Sequence, residues 1–481
     1  MTTVRRLDAL GVSGPFSTSR TAEVVGVNDA LMAELSLVPR LYVKRNLDAL
    51  RRARPMPPGE RADRLAAVGE LFMNEVDGIS LREHETEVCR ASGVAMPVVR
   101  DASRSIARSA AAAEESVQQA RPVGAVSDWR AGGEAGAVWA RKGEVFAVLA
   151  PGNHPATHAA WLEALAMGYR VAIRPSRREP FTPHRLVSAL RQAGFGSDQV
   201  VLLPTDHTVA DVLVQAADLA MVYGGDEVAA TYGARADILV QGPGRSKVLL
   251  ADGHSERHIA TVVDSVGGHG ATACVNATAV FVDGDAPGVA REVARSLSEI
   301  VVRPPESDDA VLPAFRVERA KALQNYLRGR LDTAEMISGP DLVAELPGGG
   351  AVLRPAVMLL DRADAPQVNI ELPFPCVWVA PWSPADGVAP LRNTLTLTAI
   401  TPDEDLLTRL VEEPSISNVH VGDRPTFLMG PGLPHDGHLA EFLMRSKTVI
   451  RDRSPVPLPR PEGERLTGKE SFRMREVHGL G

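Results

Sequence analysis

The chain has 481 residues, 44% of them hydrophobic and 23% charged, which is ordinary for a soluble globular protein and enough for two or three domains. Its net charge of −8 disfavours nucleic acid as the main partner, because phosphate binding needs a basic surface. No signal peptide and no apolar run of about 18 residues is present, so we expect a cytoplasmic protein without a membrane span. Three cysteines cannot supply a disulfide framework, and we predict no metal site.

The first third of the chain is predicted to be mostly helical. Residues 1–44 lack strong periodicity and are predicted to form an extended N-terminal segment. From 43 to about 113 the apolar residues recur at helical spacing, most clearly within 61–74. The stretch 122–139 is rich in Gly and Ala and predicts a β-hairpin or an edge extension rather than core.

From residue 144 onward, strands and helices alternate. The apolar run 145–150 is typical of a buried parallel strand. Such alternation predicts an α/β fold with a doubly wound sheet, which binds ligands at the carboxyl ends of its strands. The predicted strands are 145–150, 170–173, 200–203, 219–223 and 238–240, and the predicted helices are 155–167, 183–193, 209–216 and 227–235.

A second α/β block is predicted from 247 to about 427, with a helix at 287–300. The tail after 448 is rich in Pro and Arg and is predicted to be an extended arm on the surface or on a neighbouring subunit.

Cys274 is the most informative residue of the second block. It lies in a loop of small residues, 267–276, just before the apolar strand 277–282. A thiol at the start of a strand can be held rigidly and still meet a substrate. The alternative is a small core residue, since free cysteine is among the most buried types. Cys89 and Cys376 are interpreted as structural.

Three strand ends of the first block carry polar or small residues. Asn153 lies at the apex of the turn 151–155, where its amide could donate to an oxyanion or cap a helix. After the strand 170–173 come Arg177 and Arg178, at the place of a dinucleotide's ribose. Arginine there favours a 2′-phosphate, although Glu179 follows closely; the alternative is a pair of solvent-facing charges.

The third strand end is a glycine turn at 224–225 that enters a helix. Such a turn would let a pyrophosphate approach the backbone N–H groups at the helix N-terminus. A strict G-x-G-x-x-G pattern is absent, so the turn alone is weak evidence.

These segments, in this order, resemble the aldehyde dehydrogenase superfamily over about residues 45–450. The resemblance implies a Rossmann-type cofactor domain, an α/β catalytic domain, a small β oligomerisation element and a homodimer or higher oligomer. It implies a nucleophile at Cys274, an oxyanion amide at Asn153, and cofactor contacts from Arg174, Ser176, Arg177, Gly225, Asp226, Glu371 and Phe374. The expected division is an N-terminal extension (1–44), a cofactor domain (45–120 and 143–246), oligomerisation and arm segments (121–142 and 448–481) and a catalytic domain (247–447).

The chain departs from the family pattern at the general base. Members that form acids carry a glutamate in a Glu-Leu-Gly-Gly-Lys motif, and Gln241, or less well Gly242, stands in its place within 240–247. An amide cannot take a proton from water, so hydrolysis of an acyl-enzyme should be slow. Arg174 replaces the lysine of the cofactor motif, which keeps the charge and changes the geometry.

With these departures the chain most resembles the acyl-CoA reductases of the bacterial luminescence type. That resemblance implies NADP(H)-dependent reduction of an acyl thioester, carried by coenzyme A or an acyl carrier protein, to an aldehyde. A thioacyl-enzyme would form on Cys274, whose ionisation we expect nearby backbone dipoles to favour. One alternative is an aldehyde dehydrogenase that forms a free acid, with Glu227 or His269 as the base. Another is a catalytically degenerate scaffold.

Overall fold

The beginning of the chain is paired in short strands. A computed structural model describes residues 4–133, 135–251, 253 and 255–451. Much of the segment predicted to be extended at 1–44 forms strands that pair with each other or with the first large sheet. Strands of three to six residues are too short to show periodicity, and some of their partners are remote in sequence. These strands are β1 (Arg5–Leu7), β2 (Ala9–Gly11), β3 (Gly14–Phe16), β4 (Thr21–Val25) and β5 (Leu31–Ser36).

Four helices follow: α1 (Arg40–Arg52), α2 (Pro58–Phe72), α3 (Leu81–Ser92) and α4 (Met96–Gln119). A capping box between Ser80 and Glu83 starts α3, and Gly93 at φ 76° ends it. Helix α2 lies close against α4, since a Cβ at Gly69 would come within 2.6 Å of the Ala107 carbonyl oxygen.

The first large sheet is the predicted doubly wound one. After β6 (Ala125–Val126) and β7 (Ala135–Arg141), its parallel strands are β8 (Val145–Leu149), β9 (Arg170–Arg174), β10 (Val200–Leu202), β11 (Leu219–Tyr223) and β12 (Ile238–Gln241). The order is β12-β11-β8-β9-β10-β2-β3, so the hairpin β2–β3 extends one edge. The connecting helices are a 3₁₀ turn (Pro155–Ala159), α5 (Leu162–Ala166), α6 (Phe181–Gln192), α7 (His207–Ala216) and α8 (Asp226–Tyr232).

The second large sheet has the order β16-β19-β20-β14-β13-β21-β22 and is parallel except at β16. The strands of this block are β13 (Ser246–Leu250), β14 (Ala277–Val282), β15 (Ala314–Phe315), β16 (Glu335–Met336), β17 (Val343–Glu345), β18 (Ala351–Leu353), β19 (Ala356–Leu359), β20 (Cys376–Pro381), β21 (Thr394–Ile400) and β22 (Ile416–Val421). Its helices are α9 (Glu256–Gly267), α10 (Ala286–Ser298), α11 (Val317–Arg328), α12 (Glu404–Glu412) and α13 (Leu439–Leu443).

Alternating residues of the second sheet fill two cores. Phe281 and Trp378 pack on one face, and Val280 and Val379 pack on the other with α9 and α10. Cys376 belongs to the first of these cores and is 4% exposed. Cys89 is also fully buried, in a separate core. Both are structural residues, as interpreted from the sequence.

Among the described residues, 122–133, 135–140 and 446–451 form a separate compact unit. It contains a three-stranded sheet of β6, β7 and β23 (Met444–Ile450). Strands β6 and β7 pair in parallel, so the predicted hairpin is wrong, and the alternative of an edge extension remains. From residue 452 the predicted C-terminal arm lies outside the described residues. None of the helices in the described part of the chain is long and apolar enough to cross a membrane.

Candidate active site

One large cavity, of about 1550 Å³, collects most of the predicted site residues. It is bordered by the carboxyl ends of β8, β11 and β12 and by the loops that precede β14 and β20. The predicted residues on its wall are Asn153, Gly225, Asp226, Gln241, Cys274 and Glu371, and those that do not line it are Arg174, Ser176, Arg177 and Phe374.

The loop that carries Cys274 is fixed by backbone geometry and by one amide. Gly270 has φ 63°, and a Cβ there would lie 2.6 Å from the Val311 carbonyl oxygen, so the turn requires glycine. The Asn276 side chain accepts from the Ala273 N–H (3.1 Å) and donates to the Gly268 carbonyl (2.6 Å). Strand β14 begins at the next residue and is buried throughout, which anchors the loop.

The Cys274 thiol is partly exposed to the cavity, and its Sγ lies 3.2 Å from Nε2 of His435. Burial, reinforced by the nearby carboxylate of Glu371, raises the pKa of this thiol to about 12. Backbone N–H groups of Cys274 and Val275 act in the opposite direction but are outweighed. The backbone dipoles therefore act in the predicted direction, but the thiol stays protonated because desolvation of the thiolate is the larger effect.

His435 is the site residue that sequence reasoning missed. It follows Cys274 by 161 residues, on the loop between β22 and α13. That loop folds back along β22, where the Asn418 side chain donates to the His435 carbonyl and the Ser417 hydroxyl donates to Asp436 Oδ1 (2.8 Å). Burial lowers the pKa of His435 and Asp436 partly opposes this. The imidazole is therefore neutral at pH 7 and can accept the thiol proton.

Asn153 is directed at the nucleophile loop. Its Nδ2 donates to the Thr272 carbonyl at 2.9 Å. The helix-cap alternative is filled instead by His154, whose ring Nδ1 accepts from the Ala156 N–H at 3.2 Å. The amide of Asn153 has a second N–H, which leaves a donor on the wall of the cavity that Cys274 also lines.

Gln241, which the sequence predicts at the position of the family's glutamate base, is the last residue of β12 and lies on the cavity wall. Three residues later the chain runs against the nucleophile, since a Cβ at Gly244 would lie 1.7 Å from the Cys274 carbonyl oxygen. The Ser246 hydroxyl donates to that same carbonyl at 3.1 Å. Gln241 therefore belongs to a segment held close to Cys274.

The two bases considered in the acid-forming alternative lie in different places. His269 lines the cavity, and its ring contacts His154 and Phe427 edge-on, with centroids 5.6 and 5.0 Å away. Glu227 is exposed on α8 and is not part of the cavity wall.

Arg245 connects the β11–α8 turn to the loop that carries Glu371. Its backbone N–H donates to Glu371 Oε2 at 3.0 Å, and its Nη2 donates to both oxygens of Asp226 at 2.6 and 2.7 Å. Arg245 has φ 47°, a left-handed conformation that turns its N–H toward the carboxylate.

At the carboxyl end of β9, Arg174 and Glu179 are buried, whereas Arg177 is exposed. Arg174 is 8% exposed and its Nη2 donates to the Thr205 carbonyl at 3.3 Å, while Arg177 is exposed. Glu179 is 2% exposed and accepts from the Thr182 N–H at 2.7 Å, and burial raises its pKa to about 7. The acid therefore caps α6 from inside and does not face solvent.

These residues fit a nicotinamide dinucleotide. The Nε of Arg174 is a buried donor without a partner among the described residues, at the end of a central strand. A Cβ at Gly225 would meet nothing within 4 Å, which leaves room beside the backbone of the β11–α8 turn. We expect Arg174 and the turn at 224–226 to hold the dinucleotide and Glu371 to hold its nicotinamide end.

Comparison with known proteins agrees with this geometry. Similar solved structures include aldehyde dehydrogenase 21 from Physcomitrella patens in complex with the reaction product succinate, at 16% identity, 94% coverage of this chain, 99% of that chain and a TM-score of 0.80. An E. coli NADP-dependent enzyme is 16% identical, with 93% of this chain and 98% of that chain covered and a TM-score of 0.79. The aldehyde dehydrogenase KauB from Pseudomonas aeruginosa is 15% identical, with 92% of this chain and 96% of that chain covered and a TM-score of 0.78. At such identities the likeness shows the fold alone. No curated protein matches the sequence.

The model of the aldehyde dehydrogenase family matches residues 39–440, which include the parallel strands of both large sheets and the residues that line the cavity. The chain therefore belongs to the aldehyde dehydrogenase family and is an oxidoreductase that acts on aldehydes with a nicotinamide cofactor.

Proposed function

We propose that this enzyme reduces an acyl thioester to an aldehyde with NADPH, through a thioacyl-enzyme on Cys274. The observation that carries the proposal is Gln241 at the end of β12, on the cavity wall, where acid-forming relatives have a glutamate. A glutamine side chain can hydrogen-bond a water molecule but cannot remove its proton, so the acyl-enzyme would survive until it is reduced.

In the first half-reaction, the Cys274 sulfur attacks the thioester carbonyl and the thiol of the acyl donor departs with a proton. The oxyanion is held by the free amide N–H of Asn153 and the backbone N–H of Cys274. The bound cofactor supplies the hydride for the second half-reaction. Collapse of the resulting thiohemiacetal releases the aldehyde and returns the Cys274 thiol, with one proton consumed overall. The same residues serve the reverse reaction.

The preference for NADPH over NADH is supported by the end of β9. Arg177 is exposed there and available to a 2′-phosphate, whereas Glu179, the acid nearest in sequence, is buried and bonded to Thr182. A carboxylate held inside the protein cannot bind a ribose 2′-hydroxyl.

The alternative is oxidation of an aldehyde to a free acid with NAD(P)⁺. The observation that favours it is His435, 3.2 Å from Cys274 Sγ and neutral at pH 7, which could act on a water molecule near the acyl group. The two functions predict different fates for the acyl-enzyme and are separated by its product.

The proposal also covers which molecule donates the acyl group and which oligomer the enzyme forms. The donor is coenzyme A or an acyl carrier protein, as the resemblance to the luminescence-type reductases implies. A homodimer or higher oligomer would use the segments at 121–142 and 448–481. We place the enzyme in the cytoplasm.

The test follows NADPH absorbance with a series of acyl-CoA thioesters of increasing chain length, while a hydrazine traps the aldehyde for mass analysis. We expect NADPH consumption that depends on the thioester, matches the trapped aldehyde and is lost in Cys274→Ala. Thioester-independent reduction of NAD⁺ or NADP⁺ by free aldehydes, with a carboxylic acid as product, would establish the alternative instead.

A further inference from the structure

We propose that His435 is the general base that removes the proton of Cys274 during nucleophilic attack and returns it to the departing group. The contact that carries this inference is the 3.2 Å separation of His435 Nε2 and Cys274 Sγ in the cavity. The proposed role of His435 applies to thioester reduction, to its reverse and to oxidation of an aldehyde to an acid, because each reaction begins with attack by the Cys274 sulfur.

The thiol needs such a base. With its pKa raised to about 12, roughly one molecule in 10⁵ carries a thiolate at pH 7. The charged groups that act on the thiol are Glu371 and Asp436, and both are carboxylates that disfavour the thiolate. Among the described residues, the groups with the largest effect on this pKa include no cation of the kind that activates many reactive cysteines.

His435 is held in place for this role from β22. The Asn418 side chain donates to its backbone carbonyl, and the same amide donates to the Leu395 carbonyl at 2.9 Å, which ties the loop to β21. The adjacent Asp436 is fixed by Ser417. These contacts fix the backbone of the loop at His435 before substrate arrives, which limits the reorganisation needed at the moment of attack.

The protonation states of the pair define how the proton moves. Burial raises the pKa of Cys274 and lowers that of His435, so the resting pair is a neutral thiol hydrogen-bonded to a neutral imidazole. In this arrangement Nε2 is the acceptor and Nδ1 carries the hydrogen. The S–H bond breaks as the S–C bond forms, Asp436 favours the imidazolium that results, and the imidazolium then protonates the leaving thiolate or alkoxide.

This mechanism predicts a particular pH dependence. The titratable groups that act on the pair are Asp436 and Glu371, and the partly buried Tyr223 interacts electrostatically with Cys274. A base must be unprotonated to act, so the acylation rate should fall as the pH drops through the pKa of His435, which lies below its ordinary value. Above that pKa the rate should be level through pH 9, because the thiol itself titrates only near pH 12.

The experiment uses 4-nitrophenyl acetate with the full chain and no cofactor, so it does not depend on thioester reduction. The burst of nitrophenol reports acylation of Cys274. We expect His435→Gln to slow the burst by about 100-fold or more, and its remaining rate to rise about tenfold per pH unit as hydroxide replaces the base. The control is His207→Gln, an exposed histidine outside the cavity wall, with an unchanged burst.

Two further measurements make the outcome decisive. Imidazole in solution should restore part of the burst in His435→Ala, which a merely structural role would not allow. In the unaltered enzyme, D₂O should slow the burst, because the proton moves in the same step as attack. A wild-type rate and pH profile in His435→Gln, or a burst in the unaltered enzyme that rises steadily up to pH 10, would overturn the proposal.

Discussion

The two large sheets meet the cavity with opposite ends of their strands. The first sheet presents carboxyl ends, whereas the second presents amino ends. Asn153, Gly225 and Gln241 end or follow strands β8, β11 and β12, and Arg245, Cys274 and Glu371 precede β13, β14 and β20. Carboxyl ends of parallel strands bind ligands in most doubly wound folds, so the first sheet uses a general device. The second sheet depends on long loops positioned by remote contacts, and Cys274 and its neighbours lie there.

The largest effect should come from the second sheet. Cys274→Ala removes the nucleophile and should lower turnover by about 10⁴-fold or more. Cys376→Ala, at the start of the neighbouring strand β20, should leave turnover in place and reduce only stability, because Cys376 is buried in the core. Steady-state rates and thermal unfolding of both variants test this. Equal losses of turnover in the two would mean that the sheet's packing, and not the thiol, limits activity.

The next effect concerns the first sheet. Gln241→Glu places a carboxylate at the end of β12, and we expect hydrolysis of the acyl-enzyme to rise by about 100-fold. Reduction of the thioester to aldehyde should fall correspondingly, as water competes with hydride. The ratio of acid to aldehyde, measured by chromatography, reports the change. An unaltered ratio would indicate that another group, such as His435, already activates water.

A smaller effect is expected at the end of β9. Arg177→Ser removes a charge-assisted hydrogen bond to a 2′-phosphate and should reduce the preference for NADPH over NADH by about tenfold or more. The comparison is the ratio of kcat/KM for the two cofactors. Arg52→Ser, an exposed arginine at the end of α1, serves as the control. If the ratio does not move, the 2′-position is recognised elsewhere.

The smallest effect concerns the pH dependence of the free energy of unfolding, to which two buried histidines after β8 contribute. His154 and His158 are buried and neutral, and burial lowers each pKa to about 3. The unfolded chain binds protons at these histidines below about pH 6.5 and the folded chain does not, so stability falls as the pH drops from 6.5 toward 3. At pH 5 each histidine should cost about 2 kcal/mol. His158→Gln should narrow the difference between urea midpoints at pH 7 and pH 5, and a difference that stays the same would place the acid sensitivity elsewhere.

The sequence predicted the first sheet well because its signals are local. Each strand and the turn after it lie within a few residues, so 219–223 was predicted with the bounds of β11 and the helices differ by only a few residues. Cys274 was also recognisable, from its small-residue loop and the apolar strand that follows. These features depend on backbone sterics and hydrophobic periodicity, which a short window contains.

Other features depend on contacts between distant residues. The pairing of β10 with β2, through Leu202 and Leu10, gives the N-terminal strands a partner that no local pattern reveals. His435 reaches Cys274 only because Asn418 and Ser417 fold its loop back along β22. The raised pKa of Cys274 follows from burial in the assembled site, which the loop's sequence does not show.

The central claim is that the acyl group on Cys274 waits for hydride and is not taken by water. The most direct measurement loads the enzyme with an acyl-CoA thioester in the absence of cofactor and follows the acylated chain by intact mass. We predict an adduct on Cys274 that persists for many turnover times and is converted to aldehyde when NADPH is added. An adduct lost to free acid at the turnover rate before NADPH is added would contradict the account.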